Sequence, residues 1–209
     1  MAQDRGDGEF WIDHAEIGAD DLEWLGRAER LTLWNVLVPE GFLGKLKSLW
    51  WLDLRGGTAT DLKVATGCKR LRYLQVNQVR GMRDLSQLPS FRTLELLSLY
   101  GLSKVETLPS LKVLKNLRRV EMGQMKGLES LGTVLDAPSL EELYVIKRVG
   151  ITEADVRAVN RHKKLARFGW STEDVPRKVC EPVLEKIDKP EARAMHAIDW
   201  FREPRKRRK

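Results

Sequence analysis

The chain has 209 residues, of which 42% are hydrophobic and 32% charged, and its formal net charge is +7. This length and composition are typical of one domain that buries its own core without disulfides or a structural metal. No run of eighteen apolar residues occurs, so we expect no membrane span. Residues 202–209 carry a net charge of +5 and leave only +2 for residues 1–201, which excludes a strongly basic, phosphate-tracking body.

Residues 1–27 are predicted to form an N-terminal cap. The opening segment is acidic and lacks the apolar stretch of a secretory signal, so we expect none here. Phe10 and Ile12 have the spacing of inward-facing strand residues. Leu22, Trp24 and Leu25 follow two aspartates and predict a short helix.

An apolar triplet recurs along residues 28–171, and successive copies begin 21 to 25 residues apart. The last two positions of each triplet are two residues apart, which predicts a short strand with those side chains directed inward. One such strand cannot bury its own apolar face, so the repeats are predicted to stack into a parallel sheet. The copies are Ala28/Leu31/Leu33, Leu49/Leu52/Leu54, Leu71/Leu74/Val76, Leu94/Leu97/Leu99, Leu117/Val120/Met122, Leu140/Leu143/Val145 and Leu165/Phe168/Trp170.

The residues between triplets must cross the outer side of the molecule and return. Each of these segments carries an apolar anchor 13 or 14 residues after the start of its repeat. The anchors are Leu62, Leu85, Leu108 and Leu131.

This pattern resembles the leucine-rich-repeat family over residues 28–171. The resemblance implies an α/β solenoid with a parallel concave sheet, helical or 3₁₀ convex segments and helical caps. One position departs from the family, which usually places Asn or Cys three residues after the last strand leucine. That position holds Val36, Gly57, Val79, Leu102, Met125 and Arg148. We therefore expect turns that are looser, or satisfied by backbone and water, and an irregular curvature.

Residues 172–201 are predicted to form a C-terminal helical cap. Pro190 separates a first helix from a second that runs from about Glu191 to Phe201. The apolar seam of the first helix consists of Val179, Val183, Leu184 and Ile187. Residues 202–209 are predicted to be a disordered basic tail, since Arg205–Lys209 contain no apolar side chain.

Alternation along the predicted strands directs three rows of side chains toward solvent on the concave face. Aromatic residues cluster in the N-terminal two-thirds of these rows, with polar side chains among them, a composition typical of binding hot spots. The predicted partner-binding residues are Trp11, Trp34, Trp51, Asp53, Arg55, Tyr73, Gln75, Asn77, Leu96 and Tyr100. Two alternatives remain open: some aromatics fold back onto the sheet or pack on a terminal cap. The more charged C-terminal part of the rows is interpreted as a polar rim or a solvated face.

The sequence offers no catalytic or metal-binding pattern. Its three histidines lie in different repeats or caps, and none has a metal-ligand spacing with another histidine or with Cys68 or Cys180. The two cysteines are interpreted as reduced thiols of a cytoplasmic protein rather than a disulfide. We predict no cofactor, no small-molecule substrate and no enzymatic activity. An enzyme would need a deep cavity near His14, Asp13 and Asp53.

The sequence therefore predicts a non-enzymatic protein-binding module that uses its concave face. It could act as an inhibitor or immunity protein that occludes a partner, by analogy with other solenoids. The alternative is an adaptor that associates weakly with nucleic acid or another anionic surface through its basic tail, whose simpler interpretation is a solubilising segment. The tail residues concerned are Arg205, Lys206, Arg207, Arg208 and Lys209.

Overall fold

A computed structural model describes residues 1–203 of the chain. Within that range, nine strands form one sheet whose spatial order is the order of the sequence. The first strand pairs antiparallel with the second, and all later neighbours are parallel. The strands are β1 (Ala2–Asp4), β2 (Glu9–Asp13), β3 (Arg30–Trp34), β4 (Trp51–Arg55), β5 (Tyr73–Asn77), β6 (Leu96–Tyr100), β7 (Arg119–Met125), β8 (Glu142–Val149) and β9 (Arg167–Ser171).

The predicted strand register is confirmed. Leu31 of β3 pairs with Leu52 of β4, which in turn pairs with Leu74 of β5, so each triplet lies directly beside the next. The second and third triplet residues are buried on one side of the sheet, and the anchors Leu62 and Leu131 pack against them from the return segments. The result is one continuous core along a solenoid-like α/β fold, because each strand completes the burial of its neighbour.

The return segments contain short helical turns. Single 3₁₀ turns occupy Leu43–Lys45, Lys63–Ala65 and Leu88–Ser90, and each buries one apolar residue. A longer helix, α2 (Glu153–Arg161), follows β8. Thr152 caps it, since its hydroxyl accepts a hydrogen bond from the Asp155 backbone amide at 3.1 Å.

The turns after the strands are regular, although the family's Asn or Cys is missing from them. The family's Asn or Cys would stand three residues after the last apolar strand residue. The residue just before that position has a left-handed backbone in each of seven successive turns. In the first five of these turns its amide donates to the last strand carbonyl of the next repeat, for example Asn35 to Arg55 at 2.7 Å and Gln78 to Tyr100 at 2.7 Å. The backbone thus satisfies these turns, which is the second of the two alternatives that the sequence left open. The seven residues are His14, Asn35, Gly56, Gln78, Gly101, Gln124 and Lys147.

The N-terminal residues extend the sheet and contain little helix. β1 lies antiparallel along β2, and a 3₁₀ turn at Ala19–Asp21 leads into the four-residue helix α1 (Leu22–Leu25). Leu25 is buried, and Leu22 and Trp24 pack on the core. The capping role of residues 1–27 stays a prediction.

The C-terminal residues differ from the predicted pair of helices. α3 (Arg177–Leu184) buries Cys180, whereas Val179 and Leu184 of the predicted seam are exposed. The last helix, α4, spans only Ala197–Arg202. Glu191 instead forms a parallel bridge with Phe168, because the Phe168 amide donates to Pro190 and the Ala192 amide donates back to Phe168. This pairing holds residues 190–192 extended and excludes them from a helix.

Candidate functional site

The three concave rows occur with the membership that the sequence predicts. Neighbouring members of a row pair in successive strands. The first row includes Trp51, Tyr73, Leu96 and Arg119; the middle row includes Trp11, Thr32, Asp53, Gln75 and Ser98; and the third row includes Asp13, Trp34, Arg55, Asn77 and Tyr100. All ten predicted partner-binding residues therefore lie on one face of the sheet. They differ in what covers them, and this divides the predicted site into two parts.

The end of the chain folds back over the first row. We call residues 190–203 the C-terminal strap. It leaves the edge of β9 and crosses the concave face toward β4. Gly169 lets it pass, because a Cβ at that position would lie 2.6 Å from the Ala192 carbonyl oxygen. Arg167 donates to the Glu191 carbonyl at 3.3 Å, and Arg193 pairs with Glu203 at 3.0 Å within the strap.

Phe201 of the strap packs on aromatic residues of β4 and β5. Its ring centroid lies 6.0 Å from that of Trp51 and 6.4 Å from that of Tyr73, and the Arg72 guanidinium lies 5.3 Å from it. Trp51 and Tyr73 are themselves 3.9 Å apart. Edge and offset contacts of this kind add about 0.5–1.5 kcal/mol per pair beyond area burial.

The strap corrects part of the predicted site. Tyr73 is 2% exposed and Leu96 is fully buried, so neither can contact a partner while the strap is in place. Trp51 is half-buried against Phe201. The alternation rule correctly directs these side chains out of the sheet. It carries no information about a distant segment that later covers them.

A buried ion network lies beneath the strap. Arg119 of the first row has no exposed surface and donates to Glu121 at 2.8 Å, to Glu142, and to the Arg193 carbonyl at 2.8 Å. Burial raises the pKa of Glu121, although the neighbouring Arg119 opposes the shift. Part of the charged region that the sequence predicts as a rim or a solvated face is therefore buried, and Arg119 within it holds the strap by a hydrogen bond.

Asp53 is a buried carboxylate in the middle row. It is 3% exposed, and its Oδ2 accepts hydrogen bonds from Arg55 Nε at 2.9 Å and Nη2 at 2.7 Å. Its Oδ1 has no hydrogen-bond partner within residues 1–203. Burial raises the pKa of Asp53 above its ordinary value, and Arg55 only partly offsets this. Tyr73, which donates to Gln75, likewise has a raised pKa because it is buried.

The third row remains open along the ends of β2 to β6. Trp34 is 44% exposed and its ring lies 6.1 Å from that of Trp11. The Arg55 guanidinium lies 5.2 Å from the Trp11 ring, a cation–π contact that holds both side chains in place. We call Trp11, Trp34, Arg55, Asn77 and Tyr100 the open band; the last four also line a cleft at the turns.

That cleft lies where the strands end and has two adjoining parts. The larger, of about 990 Å³, is lined by amides, hydroxyls and the cations Arg55, Arg80 and Lys126. The smaller, of about 310 Å³, is mainly apolar and opens beside Gly57. His14 lines the larger part, whereas Asp13 and Asp53, the two other residues near which an enzyme would need a cavity, line neither part.

The cleft itself, with lining residues such as Arg80, Met82 and Lys126, was missed by sequence reasoning, although a signal was present. Gly57 occupies a repeat position that holds Val79, Leu102 and Met125 in the next three repeats, all buried. A missing core side chain in one repeat leaves space beside its neighbours.

The described part of the chain has neither a cluster of metal ligands nor a membrane-spanning helix. No three His, Cys, Asp or Glu side chains within residues 1–203 group as ligands for a metal ion. None of the described helices is long and apolar enough to cross a bilayer. Arg205, Lys206, Arg207, Arg208 and Lys209 lie outside the described residues. Association through the basic tail therefore stays a prediction.

Comparisons with known proteins add little to this description. No protein-family model matches the chain, and no curated protein matches it. Among solved structures, an internalin from Listeria monocytogenes aligns with 85% of this chain and 71% of its own, with a TM-score of 0.38 and 13% sequence identity. The architecture therefore rests on the strand register and burial given above.

Proposed function

We propose that this chain is a non-enzymatic protein-binding module that contacts its partner through the open band. The observation that carries the proposal is Trp34, a large aromatic side chain 44% exposed on a regular sheet. Exposed aromatics and arginines, set among polar groups, are the residues that dominate protein interfaces. The open band holds two tryptophans, a tyrosine and an arginine in neighbouring strands.

The order of the open band supports its use in recognition. Trp34 lies against Trp11, and Arg55 is fixed both by Asp53 and by the Trp11 ring. Side chains that are already held in place lose less conformational entropy when a partner binds. These residues therefore offer apolar contact area to a partner and lose little conformational entropy when it binds.

A non-enzymatic role is supported by how the histidines are used. His162 accepts a hydrogen bond from the Leu165 amide at 3.0 Å and contacts the Ala137 carbonyl at 3.1 Å. Its ring therefore stabilises the turn between α2 and β9. His14 contacts Asp13, and no hydroxyl or thiol within residues 1–203 hydrogen-bonds to its ring. A nucleophile that is activated by a histidine base needs such a neighbour.

The finer role that we propose is occlusion of a partner surface, as an inhibitor or immunity protein would act. It is supported by the place of the open band on the exposed face of the sheet, where a bound partner would have the contacted part of its own surface covered. A cytoplasmic location is proposed on the two buried, unpaired cysteines.

The test is quantitative affinity purification from the native host with wild-type bait, Trp34→Ala bait and Val179→Ala bait. Val179 is 49% exposed on α3, outside the open band, and serves as the matched control. Loss of a hot-spot aromatic costs about 2 kcal/mol or more, roughly thirtyfold in affinity. We expect Trp34→Ala to lose the specific partner and Val179→Ala to retain it. Equal recovery with both variants would refute the use of the open band.

A further inference from the structure

We infer that the cleft beside Gly57 binds an acidic peptide segment of the partner that carries one bulky apolar side chain. This inference rests on the proposed protein-binding function and specifies the chemistry that the partner must present. The apolar part of the cleft takes the apolar side chain, and the cationic part takes the acidic groups.

The apolar part exists because one repeat lacks two core side chains. Counted back from the anchors Leu62 and Leu85, Ala59 takes the place of the fully buried Met82. Counted forward from Leu54 and Val76, the last apolar strand residues, Gly57 takes the place of the buried Val79. The next two repeats fill the same positions with large buried side chains, namely Leu102, Val105, Met125 and Leu128.

The resulting space presents apolar surface to solvent. Leu33 and Leu54 of β3 and β4 line it together with Val79 and Met82 of the next repeat. Leu37, at the rim, is 65% exposed. A volume of about 310 Å³ is at the lower end of the range for ligand pockets, which suits one large side chain with its backbone better than a large cofactor.

The adjoining part supplies the charge. Arg80 and Lys126 line it, and neither forms an ion pair with a carboxylate in the part of the chain that the structure describes. No Asp or Glu is among the residues that line it. The two parts share Asn35, Arg55 and Gly57, so a single extended segment can occupy both. Cations without local counter-charges select an acidic ligand.

The repeat spacing sets the spacing of the ligand. Parallel strands lie about 4.8 Å apart, so Arg80 lies one repeat and Lys126 three repeats from Gly57, at about 5 Å and about 14 Å. An extended peptide advances about 3.4 Å per residue. Acidic groups two and four residues beyond the apolar side chain therefore come within reach of the two cations.

The probe is the peptide acetyl-Leu-Ser-Glu-Ser-Glu-amide, titrated to millimolar concentration into the full chain and followed by amide NMR. We expect shifts at residues 33–38, 56–60 and 79–82. Replacing the leucine of the peptide by serine, or both glutamates by lysines, is expected to weaken binding at least about tenfold. No saturable shift with the first peptide, or equal binding of the lysine peptide, would overturn the inference.

Two variants of the chain complete the test. Ala59→Met refills the cleft with the side chain that the next repeat carries, and Arg80→Glu reverses an exposed charge. Each is expected to weaken peptide binding at least about tenfold, whereas Val179→Ala leaves it unchanged. Peptide binding undiminished in both Ala59→Met and Arg80→Glu contradicts the inference.

If Trp34→Ala keeps the partner while these variants lose the peptide, the proposed function fails and the cleft assignment stands. If Trp34→Ala loses the partner and no peptide binds, the inference alone fails.

Discussion

Arg119 donates a hydrogen bond to the main-chain carbonyl of Arg193 at 2.8 Å, although the two residues are 74 positions apart. The same guanidinium binds Glu121 and Glu142 and has no exposed surface. One side chain thus neutralises two carboxylates on the sheet and holds the C-terminal strap above them. Stability of the sheet face and attachment of the strap are therefore coupled through Arg119.

Removing Arg119 is expected to be strongly destabilising. Arg119→Met keeps much of the apolar stem but leaves Glu121 and Glu142 without their cation. Breaking a buried ion pair on one side costs about 3–5 kcal/mol, because the remaining charges stay buried. Urea unfolding at neutral pH measures the difference in the free energy of unfolding.

Arg118 provides the matched control for this variant. It is the preceding residue and pairs with Glu141 at 2.8 Å, but both side chains are about one-third exposed. An exposed pair contributes about 0–1 kcal/mol, so Arg118→Met is expected to cost little. Similar costs for the two variants would contradict the buried network.

Deleting the strap is expected to expose an apolar row. A chain that ends after Lys189 uncovers Tyr73 and Leu96, which are buried in the full chain. A dye that fluoresces on apolar surfaces should then bind much more strongly, since contiguous exposed apolar patches are uncommon on folded monomers. A chain that ends after Glu203 keeps the strap and is expected to bind the dye like the full chain. Unchanged dye fluorescence in the shorter, folded chain would count against the strap as a cover.

Asp53 is expected to make stability depend on pH in a direction unusual for a carboxylate. Burial raises the pKa of Asp53, so folding favours the protonated form and stability is lost as pH rises through that raised pKa. The free energy of unfolding of Asp53→Asn, relative to wild type, should therefore increase as pH rises from about 4 to about 7. Urea unfolding of both proteins over this interval measures it.

Asp84→Asn is the control with the opposite sign. The amide and hydroxyl of Ser86 lower the pKa of Asp84, so this carboxylate stabilises the fold above its ordinary pKa and the stabilisation is lost on acidification. Relative to wild type, Asp84→Asn should become less stable as pH rises. The same trend in both variants would show that the Asp53 environment is described wrongly.

Cys68 is expected to be unreactive in the folded protein. Burial raises the pKa of its thiol to about 12, against an ordinary value of 9.0. At about pH 8 the reactive thiolate is then roughly a thousandfold scarcer than in an unfolded chain. In a Cys180→Ser background, a chromogenic disulfide should label Cys68 rapidly in concentrated guanidinium chloride and very slowly without it. Rapid labelling of the native protein would be incompatible with the buried thiol.

The sequence predicted the register of strands β2 to β9 because two periods act together, whereas the antiparallel β1 was not predicted. Alternation assigns Leu52 to the core and Trp51 to the concave face, and the repeat length places Trp51 beside Tyr73. Both rules are local, so neither depends on the rest of the chain. The ten predicted site residues therefore lie on the expected face.

The cover on that face could not be predicted in the same way. The contact of Phe201 with Trp51 joins distant segments and depends on how a short, irregular stretch packs. The pairing of Glu191 with Phe168 also prevents the predicted helix from starting at Glu191. No periodic pattern in the sequence predicts this pairing. By contrast, the cleft was readable from the sequence. Aligning the repeats on Leu54 and Val76 places Gly57 where Val79 stands, and aligning them on Leu62 and Leu85 places Ala59 where Met82 stands.

The sequential order of the strands has a consequence during translation. Each strand pairs with one that has already left the ribosome, because its neighbour always precedes it in the chain. Trp51 and Tyr73, however, acquire Phe201 only when synthesis is nearly complete. The nascent protein thus presents to chaperones an aromatic surface that the finished molecule conceals.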